Sequence, residues 1–460
     1  MRYIIHDFGK KLTTEEILEQ VKKSFGDNYH LSDYTIIDAS KPAAKCVGCF
    51  KCWLDKPSKC VFKDQYEFIG KSFMTSDEVI ILSKALYGGF SAPIKRLMDR
   101  VIPGVLPFFI EKNNEQHHAK RYNNNPLLKV IFYNEEDMTA AEKEHAKALI
   151  HAVSINFNAD KYDICFANIK DEEKVEALQT DNTVNETENA DNTVVAKAED
   201  VVNKTAGCKT LIIGTSPRKS ASTSLYLARN LKRDLKGNAE IVNLKTVSDY
   251  KRIIEILPYV ENIVFATPVY VDSIPSTTLD YLKKLEEHLR KSEKKYKVYG
   301  ILNCGFYEGH QCQHALETYK LWCQRANQRW MGGIGIGGGV MIGFIRFLPA
   351  IAVACLVLEY VIRAIILCFS QSGFSIEALF GHFMPINFII QCMVFVLCSS
   401  GAYIHSAKLA KSIRQGRDHQ HKFTTVWFCP RFLFVILATT YWFVRALILH
   451  GTLPWKLYKK

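Results

Sequence analysis

Two doubly wound, three-layer α/β units in tandem, followed by an apolar and mostly helical tail, are what this sequence predicts. Three observations predict them. Short apolar runs alternate with amphipathic stretches over residues 1–170, and the same alternation starts again at residue 208, a rhythm that calls for parallel strands joined by helical crossovers. Between the two series lies a stretch dominated by Asp, Glu, Asn, Thr and Ala, and beyond residue 340 the apolar residues crowd together. A chain of 460 residues is too long for one core. These shifts divide it into a first domain at 1–170, a flexible acidic linker at 171–206, a second domain at 207–340 and a hydrophobic helical region at 341–460.

In the first domain the candidate strands are 3–5, 33–38, 78–83, 128–133 and 161–167. The first helix, 14–25, has a hydroxyl N-cap at Thr13 and acids at Glu15 and Glu16 to complement the helix dipole. The linker carries the near-repeat Asp181-Asn-Thr-Val and Asp191-Asn-Thr-Val and lacks the apolar surface that would offset the entropy of ordering it. In the second domain strands are expected at 210–214, 240–244, 262–267 and 297–303, with helices at 222–235 and 277–287. Trp322 and Trp330 are expected to pack its last helix.

The tail holds three apolar stretches. Residues 347–369 contain only Glu359 and Arg363 as charges, one helical turn apart, and 385–407 contain none; each is long enough to cross a hydrocarbon core of roughly 30 Å. The segment between them has no Lys or Arg, whereas the following loop carries Lys408, Lys411, Arg414, Arg417, Lys422 and Arg431 against Asp418. The positive-inside rule then predicts a transmembrane hairpin at 347–369 and 385–407, with the globular domains on the cytoplasmic face; buried helices of a soluble domain are the alternative. The third stretch, 432–449, contains Arg445 and reads as an interfacial or domain-packed helix.

Composition narrows the function. Fourteen cysteines in so long a chain do not form the dense framework of a small secreted protein, and the start of the chain lacks the apolar core of a signal peptide. The formal charge of +12 is not gathered into a basic, aromatic-laced stripe, so no nucleic acid partner is expected. Four cysteines do stand together: Cys46, Cys49, Cys52 and Cys60, spaced C-x2-C-x2-C-x7-C. Such spacing suits an iron-sulfur cluster, zinc, or redox-active thiols. Cys304, Cys312 and Cys323 are too dispersed for a compact ligand set and read as core or loop residues. His117 and His118 read as solvated loop residues.

In the second domain Gly214-Thr215-Ser216-Pro217-Arg218-Lys219-Ser220-Ala221-Ser222-Thr223-Ser224 follows a strand and opens a helix. Hydroxyls, backbone N–H groups and a guanidinium at that position suit a phosphate, and a plain serine-rich N-cap would look partly the same. Two more strand-end loops, at Pro268, Val269, Tyr270 and Val271 and at Asn303, Gly305 and Phe306, lie at the carboxyl edge where such sheets bind ligands.

Together the Gly-Thr-Ser-Pro-Arg loop and the Pro268-Val269-Tyr270 loop resemble the NAD(P)H-dependent FMN reductase branch of the flavodoxin-like superfamily. The four cysteines followed by Asp64 resemble its iron-sulfur flavoprotein members. The resemblance covers two tandem copies. It implies an NAD(P)H-dependent flavin oxidoreductase in which Thr215, Ser216, Arg218, Ser222, Thr223 and Ser224 bind the FMN phosphate, while the loops at Pro268–Val271 and Asn303–Phe306 flank the ring, Tyr270 and Phe306 foremost. It further implies a 4Fe-4S cluster on the four cysteines and a nicotinamide dinucleotide or ferredoxin-type donor. Hydride transfer demands no acid-base side chain, so none is named as catalytic. The copies depart from the pattern in opposite ways. Copy one has the cysteines and a flavin-side loop at 83–100, yet its first strand runs into Asp7-Phe8-Gly9 without a phosphate loop; copy two has that loop and no cysteine cluster. An internal pseudo-dimer, with the cluster of one facing the FMN of the other, is the expected arrangement. The rival is a membrane-anchored redox sensor or scaffold whose cysteines hold zinc or switch by disulfide formation.

Overall fold

The computed structural model describes residues 1–159, 161–169, 208–218, 222–345, 348–369, 386–425 and 430–460. The expected linker at 171–206 lies outside them. The first domain runs β1 (Arg2–His6), α1 (Thr14–Phe25), β2 (Tyr34–Asp38), α2 (Lys51–Leu54), α3 (Ile69–Met74), β3 (Glu78–Lys84), α4 (Ala92–Met98), β4 (Val105–Lys112), β5 (Glu115–Lys120), β6 (Leu127–Tyr133), α5 (Ala140–Asn156) and β7 (Tyr162–Ala167). Its parallel sheet has the order β2-β1-β3-β6-β7. The second runs β8 (Thr210–Gly214), α6 (Thr223–Asp234), β9 (Ala239–Asn243), α7 (Val247–Ile256), β10 (Asn262–Pro268), α8 (Ser276–Arg290), β11 (Lys297–Asn303), α9 (Gln313–Arg325) and β12 (Arg329–Ile336), and its sheet repeats that order as β9-β8-β10-β11-β12.

Both faces of each sheet are covered. Ile5, Ile81 and Val130 enter one cluster while their neighbours Ile4, Ile80 and Ile131 enter another; Ile213 and Phe265 part from Ile212 and Val264 in the same way. Burial on both sides is why the strands read as continuous apolar runs. The helices begin where the sequence sets caps: Thr13 with Glu16, Thr139 with Glu142 and Thr246 with Asp249 each form a reciprocal capping box.

The two registers correspond residue for residue at the central strands. His6 pairs with Leu82 and Asp38, as Gly214 pairs with Ala266 and Asn243. Four residues beyond Leu82 and Ala266 the chain makes the same tight turn, Leu86 bridging Gly89 and Tyr270 bridging Ser273. Asp7 and Phe8 therefore stand where the second domain has Thr215 and Ser216.

The domains pack through α4 against α8 and α5 against α9. Tyr87 donates to Glu286 at 2.7 Å, Ser276 N–H donates to Asp99 at 2.9 Å, and Arg325 grips Glu142 with two bonds of 2.5 and 2.7 Å. The β4–β5 hairpin, turned by Asn113 and Asn114 in the left-handed region, reaches across the interface. There Gln116 bonds Tyr307 N–H at 3.0 Å and accepts from Gln311 at 3.0 Å.

Past β12 the chain forms α10 (Gly339–Ile345), α11 (Leu348–Phe369), α12 (Ile386–Gln415), β13 (His419–Thr424) and α13 (Arg431–His450). Here two expectations change. β13 lies parallel to β12, with Ile334 opposite Lys422 and Ile336 opposite Thr424, so the second domain does not end at 340. The apolar stretch expected to stop at 407 continues as helix to Gln415, and its later part packs on the domain through Ala402, Leu409, Ala410 and Ile413. The earlier part leaves Ile390, Met393 and Val396 exposed, as α11 leaves Val357, Leu358 and Ile366, while Arg363 donates to Glu359 at 3.0 Å as its spacing suggests. Much of the basic loop is folded onto the domains: Arg431 pairs with Glu111 and Glu308, both at 3.1 Å.

By length and composition α13 is apolar enough to cross a membrane. One of its faces is nonetheless packed on the protein. Phe434 and Ala438 sit in a second-domain cluster, while Trp442 and Ala446 sit in the first-domain core, a stripe at four-residue spacing. The other face, including Phe432, Ile436, Leu447 and Ile448, is exposed.

Candidate functional site

Two cavities meet between the domains at the carboxyl edges of the sheets. The smaller, of about 160 Å³, is lined by Cys46, Cys49, Cys52 and Cys60 together with Asp99, Arg100, His118, Asn156, Asp272 and Gln311. The larger, of about 450 Å³, is lined by Ser216, Arg218, Ser222, Thr223, Ser224, Pro268, Asn303 and residues of α13. Phe50, Val269, Tyr270, Cys304, Gly305, Val340 and Trp442 line both. The cysteine loop of one domain and the hydroxyl loop of the other thus share a wall.

The cysteine loop is shaped by two left-handed residues, Gly48 at φ 60° and Phe50 at φ 59°. Gly48 is required, because a Cβ there would fall 2.0 Å from the Tyr270 hydroxyl and 3.1 Å from Arg218 Cγ. Asp64 holds the loop from behind: it accepts from Ala44 N–H at 3.0 Å, Tyr66 N–H at 3.0 Å and Arg100 at 2.5 Å. The Arg100 guanidinium also bonds the Cys60 sulfur. Burial pushes the Cys46 thiol up to about 12 and raises Cys52 as well. All four cysteines are free thiols. Among the described residues no three of Cys, His, Asp and Glu stand as a preformed metal site; the donor set, four soft sulfurs around one cavity, fits an iron-sulfur cluster or zinc.

Across the shared wall, Phe50 stacks on Trp53 with centroids 5.3 Å apart and meets Trp442 edge-on at 5.3 Å. Arg218 lies over Phe50 at 5.6 Å and Arg445 at 6.0 Å, so two guanidiniums from distant parts of the chain approach one ring. Lys95, paired with buried Asp99, donates to the Tyr270 carbonyl at 2.6 Å and fixes the turn that carries Tyr270. That turn places Val271 at φ 45° and Asp272 at φ 59°, conformations a β-branched residue rarely adopts.

The sequence is similar to no protein-family model and to no curated protein. Among solved structures, one it is similar to is the Trp repressor binding protein from Bacillus subtilis, at 18% identity over 28% of this chain and 85% of that one, with a TM-score of 0.25. That likeness is too slight to speak for fold or function.

Of the residues expected at a phosphate, Ser216, Arg218, Ser222, Thr223 and Ser224 face the larger cavity. Thr215 does not. It is buried beneath, its hydroxyl bonded to Thr267 at 2.9 Å. Ser222 doubles as the N-cap of α6, and Thr223 donates to the Gly339 carbonyl at 3.0 Å. Pro268, Val269, Tyr270, Asn303 and Gly305 line the larger cavity, whereas Val271 and Phe306 face the smaller. The Asn303 Oδ1 and Asp272 Oδ2 atoms are buried without a protein partner, an acceptor left for a ligand in each cavity.

The first domain has no equivalent cradle. Asp7, in place of Thr215, accepts from Tyr133 at 2.9 Å and is pushed up to about 6 by burial; Phe8, in place of Ser216, stacks on Tyr133 at 4.5 Å. A carboxylate and a phenyl ring exclude a phosphate from that loop.

The histidines expected in a solvated loop lie instead on β5. His118 lines the smaller cavity and burial pushes it down to about 3; His117 bonds Asn156 at 2.7 Å, and Asn156 donates to Asp272 at 2.7 Å. Tyr441, Trp442, Arg445, Ile448 and Leu449 of α13 line the larger cavity and were missed as site residues. Arg445 alone in an apolar helix was the available signal, since a charge so placed usually has work to do.

Proposed function

We propose that the chain is a membrane-attached flavoprotein oxidoreductase built as an internal pseudo-dimer: the second domain holds FMN in the larger cavity, and the first holds an iron-sulfur cluster on Cys46, Cys49, Cys52 and Cys60. The wall common to the two cavities carries this reading. It brings the domain with the four-cysteine loop and no phosphate cradle against the domain with the cradle and no such cysteine cluster. The strand order, 2-1-3-4-5 in each sheet, is that of the flavodoxin-like fold, which takes FMN at the carboxyl edge.

The flavin, when bound, supplies hydride acceptance and one-electron release. The chain's own residues do the rest. Ser216, Ser224 and Arg218 would take the phosphate, with Arg445 adding a second positive charge. Asn303 Oδ1 offers an acceptor and Tyr270 a flat wall. Phe50, Trp53 and Trp442 keep water from the space between the centres. Arg100 stands beside Cys60 and would offset the negative charge of a bound cluster. Electrons would come from reduced nicotinamide or a ferredoxin-type donor. The exposed apolar residues of α11, α12 and α13 support attachment to a bilayer from its cytoplasmic face.

Anaerobic purification followed by absorbance spectroscopy tests the reading: flavin bands with a broad shoulder at ~400 nm are expected. Arg218→Ala should weaken FMN binding about 10- to 100-fold, and Cys46→Ser should remove the shoulder while leaving flavin bound. The rival, a zinc or disulfide sensor, draws on the free thiols. A colourless protein with stoichiometric zinc would decide for it.

A further inference from the structure

The larger cavity has walls of opposite character. One is the hydroxyl and guanidinium loop; the other is α13, which contributes Val444, Ile448 and Leu449 among its lining residues. Those three are also outer surface, being 47%, 73% and 62% exposed. Among the described residues that line the cavity they are the exposed ones, so the described part of its mouth is aliphatic. Around it the same face of α13 continues with Leu447, Ile436 and Phe432, all exposed.

An aqueous mouth would set polar groups at this rim, because soluble monomers rarely leave a continuous apolar patch around an opening. A rim on hydrocarbon would be aliphatic, with the polar groups at the inner end, as here. The buried stripe of α13, Phe434 to Ala446, anchors the helix to both domains, so its outer face is the one left uncovered by protein. The helix lies along the protein flank rather than through a bilayer by itself.

Resting on the flavin reading above, we propose that the larger cavity is entered from the bilayer across Val444, Ile448 and Leu449, and that the electron acceptor is a lipid-dissolved molecule that takes up two electrons and two protons. The balance is complete: reduced nicotinamide gives a hydride, which is two electrons and one proton, the solvent gives the second proton, and the acceptor leaves with two new hydroxyl groups in place of two carbonyls. A water-soluble acceptor would meet the aliphatic rim first and gain nothing from it. A molecule already in the membrane meets the rim at no cost of desolvation.

The experiment uses the full chain in phosphatidylcholine–phosphatidylglycerol vesicles and, as probe, an azido-benzoquinone with a ten-carbon tail. On illumination the probe should label residues 444–449, and Ile448→Glu should cut that labelling about tenfold through lost apolar contact. The rate of probe reduction should rise with tail length over a series of tailed benzoquinones. Labelling spread evenly over the chain, labelling unaffected by Ile448→Glu, or a rate indifferent to tail length would each overturn the portal. Ferricyanide separates this from the parent reading. Wild-type protein that carries flavin and reduces ferricyanide but fails the labelling test refutes the portal alone, whereas wild-type protein without flavin refutes the oxidoreductase.

Discussion

Gly48 is the point at which the packing of the two domains can be tested most sharply. Replacing it by Ala puts a methyl group 2.0 Å from the Tyr270 hydroxyl, more than an ångström inside normal contact. Two costs add. The residue sits at φ 60°, where Ala is worse than Gly by about 1–2 kcal/mol, and the clash displaces a buried tyrosine, an overpacking cost of about 1–3 kcal/mol. Gly48→Ala should therefore destabilise the docked pair of domains by about 2–5 kcal/mol. Tyr270→Phe deletes the clashing oxygen; the nearest atoms to the methyl then lie at 3.1 and 3.2 Å, tight but tolerable. In the double variant only the backbone cost, about 1–2 kcal/mol, should remain. Urea denaturation followed by tryptophan fluorescence reads the cycle, since Trp442 lies on the shared wall and Trp53 stacks on Phe50 beside it. If Gly48→Ala is as stable as the parent, or if Tyr270→Phe gives no relief, the cysteine loop does not press on the second domain as described.

Removing one partner of the buried Lys95–Asp99 pair, each side chain 2% exposed, leaves an uncompensated charge at the interface. Lys95→Met should cost about 3–5 kcal/mol, and Lys95→Met with Asp99→Leu should cost less than Lys95→Met alone, measured by the same denaturation. For Asp7, burial raises the folded value to about 6 above the ordinary carboxylate value near 4. The folded chain then binds more protons than the unfolded chain between pH 4 and 6, so this group lowers stability as pH rises through that window. Asp7→Asn should remove that slope. It should stabilise the protein by about 1–3 kcal/mol at pH 7.5 and change little at pH 4, as judged by denaturation at the two pH values.

The central strands were legible because burial on both faces leaves a continuous apolar run, as at Val79–Leu82 and Ile263–Ala266. The cap at Thr13 was legible, and the structure adds the same hydroxyl-to-acid spacing at Thr139 and Thr246. The complementary losses were legible too, since Asp7-Phe8 and Thr215-Ser216 differ in the property a phosphate requires. What stayed hidden has physical reasons. β13, His419 to Thr424, is an edge strand bonded on one side with its side chains largely in water, so it carries no apolar run. The β4–β5 hairpin buries His117 and His118 against the other domain, and a histidine pair reads as polar until its neighbours are known. The two faces of α13 are equally apolar, and nothing in their composition tells which one meets protein.

The position of β13 bears on how the chain is made. The sheet of the second domain is left with an open edge at β12 once Ile336 has been synthesised, and the strand that covers it arrives about 80 residues later. At ordinary translation rates that is roughly 4–16 s. Throughout that interval a glycine-rich, apolar edge is bare while two long apolar helices leave the ribosome. Capture of those helices by a membrane during synthesis would keep both hazards apart and return the chain to close the sheet. Maturation of the second domain would then be timed by delivery to the bilayer, and a chain truncated before His419 would be aggregation-prone however well its first five strands fold.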